Sequence, residues 1–303
     1  MKYDKKIDII FPFVDCNDVT WQKLYYENLK KYKRTDLSWD DWATGMKRFR
    51  PNGTLKYVFR SIEKYCPWVN KVHLIVQSES QIPKWINRNE VNIVYHSDFI
   101  PEQFLPTFNS STIEMFIQNV KELSEYYIYG NDDTIFTSPI KELDFFDINN
   151  KKLIFGIRLR EFNPTWIGDI LRMANNKLLD IEGTQVYSIQ HTFTPHIKSL
   201  NIEMFNKYKE RIYKNVTPFR NKEEHNQWIF LIYAYLNNYA INYRLSHMSV
   251  EINHKSVNRV LNADLSKFKS VCINDHKDTT EEQMTKINEK LEKIFPTRCK
   301  YEI

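Results

Sequence analysis

The run Tyr126-Tyr127-Ile128-Tyr129-Gly130-Asn131-Asp132-Asp133-Thr134-Ile135-Phe136 constrains this chain more than any other stretch. Aromatic and β-branched residues build an apolar strand, which stops at Gly130 and three polar side chains and then resumes. Strand interiors exclude Asn and Asp, so the Asn-Asp-Asp step marks a strand end or a sharp turn. Two adjacent carboxylates repel each other. Between apolar runs they are easiest to accommodate beside positive charge, most simply a divalent cation such as Mg2+ or Mn2+ with oxygen ligands. A surface turn explains the same residues, since Asn, Asp and Gly all favour turns. Both readings stand at this level.

The surrounding pattern is that of an α/β fold, a mainly parallel, Rossmann-like sheet flanked by helices. Residues 7–14 are almost continuously apolar, as in a strand covered on both faces, and they end in Asp15-Cys16-Asn17-Asp18. Open α/β sheets place ligands at such carboxyl ends, although Asn17 or Asp18 would serve equally as the N-cap of the next helix. Leu55, Val58, Phe59 and Ile62 recur at helical spacing, and residues 71–77 and 91–96 read as two further strands. Strand, helix and strand in this order imply right-handed crossovers. Ser111-Thr112-Ile113-Glu114 has the form of a capping box opening a helix that leads into Tyr126. Helices are expected over 165–182, 199–213 and 225–240, and a charged amphipathic helix over 280–294. Residues 270–275, Ser-Val-Cys-Ile-Asn-Asp, repeat the theme of a short apolar strand ending in Asn-Asp. The chain reads as one catalytic domain, with 158–255 as a helical insertion.

Composition excludes several classes. At 303 residues, with 42% hydrophobic and 15% aromatic side chains, the chain buries a large core and is not disordered. A net charge of +5 without a dense Lys/Arg block gives no nucleic-acid groove. Cys16, Cys66, Cys272 and Cys299 are widely spaced, which fits free thiols in a reducing compartment. No stretch reaches the ~20 apolar residues of a membrane span. Residues 35–54, with Trp39, Trp42, Phe49, Lys47, Arg48 and Arg50 before Pro51-Asn52-Gly53, read as a loop over a pocket. Its arginines suit forked contacts to phosphate oxygens, or else are ordinary surface charges. His73 alternates with apolar neighbours as a structural histidine would, whereas His96 and Asp98 follow a strand end.

Taken jointly, these phrases resemble the Stealth proteins, the sugar-1-phosphate transferases that include capsular polysaccharide phosphotransferases and GlcNAc-1-phosphotransferase. IDIIFPFVDCND resembles the family's first block. The second is matched by RFRPNGTLKYVFRSIEKYCPWVNKVHLIVQSESQIPKWIN, LPTFNSSTIEMFI and YYIYGNDDTIF. HTFTPHIKSL and TPFRN resemble the third block, and VCINDHKD the fourth. The first block departs from the usual pattern, with Phe-Pro-Phe in place of Tyr-Thr-Trp and Cys16 in place of Gly.

The resemblance implies a glycosyltransferase-A-like fold and a UDP-sugar donor. Sugar-1-phosphate passes to a glycan hydroxyl, UMP leaves, and a phosphodiester forms in cell-surface polysaccharide. It implies Asp132, Asp133 and Asp275 at a divalent metal, His191 as general base, with His196 its chemical equal, and Asp133, Arg220 and Asp275 in catalysis. Asp15, Asp18, Arg48, Arg50, Asn52, Asn109, Glu114, Asn131 and Asn274 would contact substrates. The acceptor would be lipid-linked. The enzyme would be cytoplasmic, with peripheral contact at the inner face of the plasma membrane. The alternatives are a metal-dependent glycosyltransferase that releases UDP and a non-catalytic carbohydrate-binding protein.

Overall fold

The computed structural model describes residues 6–32, 43–275 and 278–303, so Trp39 and Trp42 of the expected pocket loop lie outside the described residues. Its central sheet is built from β1 (Ile7–Pro12), β2 (Val72–Val76), β3 (Val91–Tyr95), β4 (Tyr126–Tyr129) and β10 (Thr194–Ile197). The strand order is β10-β4-β1-β2-β3. β1 runs parallel to β2 and β4, β2 runs parallel to β3, and β10 joins β4 antiparallel. The expected α/β class with a mainly parallel sheet is therefore what the chain adopts. β1, β2 and β4 are buried along nearly their whole length, which is why their sequences lack the alternation of half-exposed strands.

Beyond Asp133 the chain pairs into three smaller β units. β5 (Thr134–Phe136) lies antiparallel to β13 (Ser270–Asn274), which runs parallel to β12 (His247–Glu251). β6 (Phe146–Asp147) and β11 (Ala240–Asn242) flank β7 (Lys152–Phe155). β8 (Ile157–Glu161) and β9 (Gln185–Ile189) form a hairpin. The stretch 158–255 thus supplies β10 to the central sheet, β11 and β12 to two others, and β9 to the hairpin. Its strands are woven into the body of the protein, so it is not the helical insertion that was expected. Its helices run Ile167–Leu178, Lys198–Asn215 and Trp228–Leu236. The last of these falls within 225–240 and ends at Leu236 because Asn238 takes a left-handed φ of 62°, which stops the helix before β11 begins.

Gly130 is required where β4 ends. A Cβ there would lie 2.5 Å from the Phe193 ring, which stacks on Phe136 at 3.9 Å. The glycine lets the chain turn tightly over this aromatic pair and carries Asp132 and Asp133 to the sheet's carboxyl edge. Arg60, on the Leu55–Tyr65 helix, is 7% exposed and binds Glu302 through Nε at 2.8 Å, Glu292 at 3.1 Å and the Phe295 carbonyl. It fastens the Leu55–Tyr65 helix to residues 292–302. All four cysteines are free thiols. Among the described residues no helix is long and apolar enough to cross a membrane.

Candidate active site

Residues from five parts of the chain meet around the carboxyl ends of β1 and β4. After β1, Asp18 caps the helix Val19–Lys31 through the Thr20 N–H at 2.9 Å. Its other oxygen accepts from Ser80 Oγ at 2.6 Å and Gln81 Nε2 at 2.8 Å. Those bonds outweigh the cost of burial and hold the Asp18 carboxyl below its ordinary pKa. The same buried Gln81 clamps the Asp15 backbone from both sides, at 2.7 and 3.0 Å. Of the expected substrate contacts here, Asp18 is committed to tying the strand end to residues 80–81. Asp15 Oδ1 is held by the Asn17 N–H at 2.8 Å.

After β4, Thr54 donates to the Asp132 carbonyl at 2.8 Å, which fixes the peptide that presents both carboxylates. Asp132 retains accessible surface although it is closely ringed by protein. Its pKa is raised, by that burial first and by the neighbouring Asp133 charge second. Cys272, fully buried on β13, donates its thiol to Asp133 Oδ1 at 3.6 Å, and its sulfur lies 3.6 Å from His191 Nδ1. Burial, reinforced by the Asp133 charge, pushes the thiol far above its ordinary pKa, so Cys272 is a neutral spacer between carboxylate and imidazole. The exposed His191 ring meets Trp228 edge to face at 6.4 Å.

A second group surrounds Glu114. The Tyr129 hydroxyl donates to Glu114 Oε1 and the Gln227 N–H to Oε2, each at 3.0 Å. The expected capping box is therefore not formed. Asn109 caps the helix Ser110–Phe116 instead, because the Glu114 carboxylate is drawn off to β4 and Gln227. Burial raises the Glu114 pKa to about 7, against the pull of those hydrogen bonds and of Arg220. Arg220 donates to Ser110 Oγ. Arg48 has an exposed side chain that neighbouring protein still crowds. That crowding, with repulsion from Arg220, lowers its pKa to about 9.

Other expected site residues take different roles. Asn109 is fully buried, with Nδ2 bound to Glu224 at 2.8 Å, so it is a structural cap and not a substrate contact. Both Asp275 oxygens accept from Arg50, at 2.6 to 3.0 Å, so this carboxylate is engaged in a bidentate ion pair and is not gathered with Asp132 and Asp133. Among the described residues no three His, Cys, Asp or Glu side chains gather closely enough to hold a metal by themselves. Asn52, Asn131 and Asn274 contribute backbone carbonyls, accepting from Asn288, Thr134 and Ile252 respectively. His196 is buried against Tyr127 and bonded to Gln227 and Asn201, which removes it as a rival to His191. His73 is the satisfied core histidine expected, held by Asp8 and Asn92, and His96 is buried as well.

Sequence reasoning missed Tyr129, Glu224, Gln227 and the role of Cys272. Glu224 accepts from Asn109, Ser111 and the Asn221 N–H, and so ties the Glu114 helix to the Arg220 segment. Nothing in its local sequence signals a contact that spans more than 110 residues.

The profile of Stealth protein CR2, conserved region 2, matches residues 48–154, the segment that carries Arg48, Glu114, Asp132 and Asp133. A Streptococcus pneumoniae protein named capsular polysaccharide phosphotransferase WcwK is 30% identical over 100% of this chain and 99% of its own. Capsular polysaccharide phosphotransferase SacB of Neisseria meningitidis serogroup A is 31% identical over 98% of this chain and 57% of its own. Receptor polysaccharide phosphotransferase WefC of Streptococcus gordonii is 26% identical, with 99% of each chain covered. Among solved structures, galactosyltransferase LgtC in complex with donor and acceptor sugar analogs matches with a TM-score of 0.44 and 11% identity, over 97% of this chain and 98% of that one. The chain is a transferase enzyme. Within that class, it belongs to the Stealth family.

Proposed function

We propose that this enzyme transfers a hexose- or N-acetylhexosamine-1-phosphate from a UDP-sugar to a hydroxyl of a cell-surface glycan acceptor. The convergence of Asp133 and His191 on the Cys272 sulfur carries this reading, because it places a carboxylate pair and an exposed imidazole at one strand end. The names of the full-length relatives support it. The acceptor oxygen attacks the phosphorus bonded to the sugar-1-oxygen, and its proton passes to His191. The bond from that phosphorus to the bridging oxygen breaks, and UMP leaves with the bridging oxygen. The new bond is a phosphodiester. General-base assistance of this kind contributes about 10²- to 10⁴-fold.

Arg48 and Arg220 would face the diphosphate, where fixed guanidinium donors meet charge that develops on the transferring group. Arg50 is braced by Asp275 for the same task. Asp132 and Asp133 suit a hard divalent cation, since they are adjacent oxygen donors, and burial first and their mutual repulsion second raise the Asp132 pKa. They would hold Mg2+ or Mn2+ with substrate oxygens and water completing the shell, and the cation would neutralise diphosphate charge. Glu114, positioned by Tyr129 and Gln227, would orient a substrate hydroxyl or Arg220. The net positive charge and exposed aromatics suit a lipid-linked acceptor at the cytoplasmic membrane face.

The leaving nucleotide tests the reaction. Purified protein incubated with UDP-sugars and a glycan acceptor should release UMP; release of UDP would instead identify a glycosyltransferase.

A further inference from the structure

Next to Trp228 lies a cluster of arginines that the chemistry above does not use. Arg158 and Arg160 are two residues apart on β8 and so share one face of the hairpin. Arg172, on the helix Ile167–Leu178, packs against them. Its guanidinium carbon lies 4.6 Å from the Trp166 ring centre and 5.0 Å from that of Trp228, and Arg160 lies 4.8 Å from Trp166. Gly168 permits this packing, since a Cβ there would come within 3.1 Å of both Trp166 and Arg172.

The charges do not balance. One fully buried carboxylate, Asp169, serves both Arg172 at 3.0 Å and Arg160 at 3.3 Å. One of its oxygens is also engaged by the Asn163 N–H at 3.0 Å. Arg158 is exposed and has no ion-pair partner among the described residues. Arg172 is only 8% exposed at its side chain, and its Nε, buried, has no hydrogen-bond partner. Burial lowers the Arg172 pKa despite Asp169, and Arg160 and Arg158 lower it further. Three guanidinium groups around one carboxylate repel one another unless an anion joins them, and the forked geometry of arginine suits a phosphate.

We propose that Arg158, Arg160 and Arg172 form a subsite for a phosphodiester of the acceptor chain. The inference rests on the phosphotransfer reading. If the product is a phosphodiester polymer, an acceptor that presents its terminal hydroxyl at His191 carries an anion about one sugar further back. Trp228 links the two, its ring 6.4 Å from the His191 ring and 5.0 Å from the Arg172 guanidinium carbon. The exposed Trp166 ring borders the subsite and offers apolar surface to the sugar. The site therefore selects an acceptor that carries a phosphodiester over a neutral glycan.

A binding measurement independent of turnover tests this. The full chain and the variants Arg158→Ala and Arg160→Gln are titrated calorimetrically with two probes, a phosphodiester-linked trimer of N-acetylglucosamine 1-phosphate and the neutral glycosidic trimer chitotriose. The wild type should bind the phosphodiester trimer at least about tenfold more tightly, the scale of one charge-assisted arginine contact. Each variant should lose most of that preference, and Arg158→Ala, at an exposed side chain, should do so at an unchanged melting temperature. Equal binding of the two trimers by the wild type, binding of neither, or a preference that survives both substitutions would overturn the subsite. Release of UDP in the nucleotide assay, with the preference intact, would overturn the phosphotransfer reading and leave the subsite standing.

Discussion

Asp133 and His191 are brought to the same sulfur atom: Cys272 Sγ lies 3.6 Å from Asp133 Oδ1 and 3.6 Å from His191 Nδ1. The two residues are 58 positions apart, and a third strand, β13, joins them. The thiol is neutral and buried, so it sets the spacing without taking part in proton transfer. His191→Gln should therefore lower the rate of UMP release by about 10²- to 10⁴-fold. Cys272→Ala should cost about tenfold or less, because it removes a spacer and leaves the imidazole. Steady-state rates of both variants check this, and a Cys272→Ala loss as large as that of His191→Gln would contradict it.

Asp132 and Asp133 repel, and the repulsion is part of the site. Asp132→Asn should raise the melting temperature while abolishing most turnover. Asp133→Asn should weaken Mn2+ binding, read directly by titration calorimetry. Unchanged Mn2+ affinity in both variants would remove the metal from these residues.

The Arg50–Asp275 pair is bidentate and mostly shielded, with side-chain exposures of 24% and 14%. Asp275→Asn should destabilise the protein by about 1.5–3 kcal/mol, the range for a hydrogen bond to a charged group, and should raise the KM for the UDP-sugar. Arg50→Lys should reproduce both effects, because an ammonium cannot form the fork. An Asp275→Asn protein that bound donor normally but no longer bound Mn2+ would instead restore this carboxylate to the metal.

Stability should fall as pH drops from 6.5 towards 4. His96, His196, His225 and His247 are all held near a pKa of about 4 by burial, so each is neutral in the fold and protonates first in the unfolded chain. Because the unfolded state binds more protons in that window, stability is lost as pH falls. Glu114 acts in the opposite sense. Its folded pKa of about 7 lies above the unfolded value of 4.5, so it binds more protons when folded, and stability falls as pH rises between those values. Asp132, also raised, acts in the same sense as Glu114. Thermal melts at half-unit pH steps should show a net acid loss, and Glu114→Gln should steepen it by removing one opposing group.

Gly130→Ala should cost about 1–3 kcal/mol by overpacking, since the added methyl meets the Phe193 ring at 2.5 Å. Phe193→Leu in the same chain should recover part of that loss in chemical denaturation.

The sequence by itself determined the strands that carry the site. Apolar runs of the right length have one good way to be buried, so β1, β2, β3, β4 and β13 were legible, as was the Asn-Asp-Asp step that ends β4. Asp132, Asp133, His191 and Arg220 could be singled out because their motifs are local phrases in a fixed order. Partnership was not legible, because a hydrogen bond between distant segments leaves no trace in either. Glu114 fitted a capping box equally well until Tyr129 and Gln227 claimed its carboxylate. Asn109 was read as a substrate contact and is a buried cap, and Asp275 was read as a metal ligand and is the partner of Arg50. Tertiary structure alone decided these cases, because each polar group takes whichever partner the packing brings within 3 Å, and a buried one cannot go without.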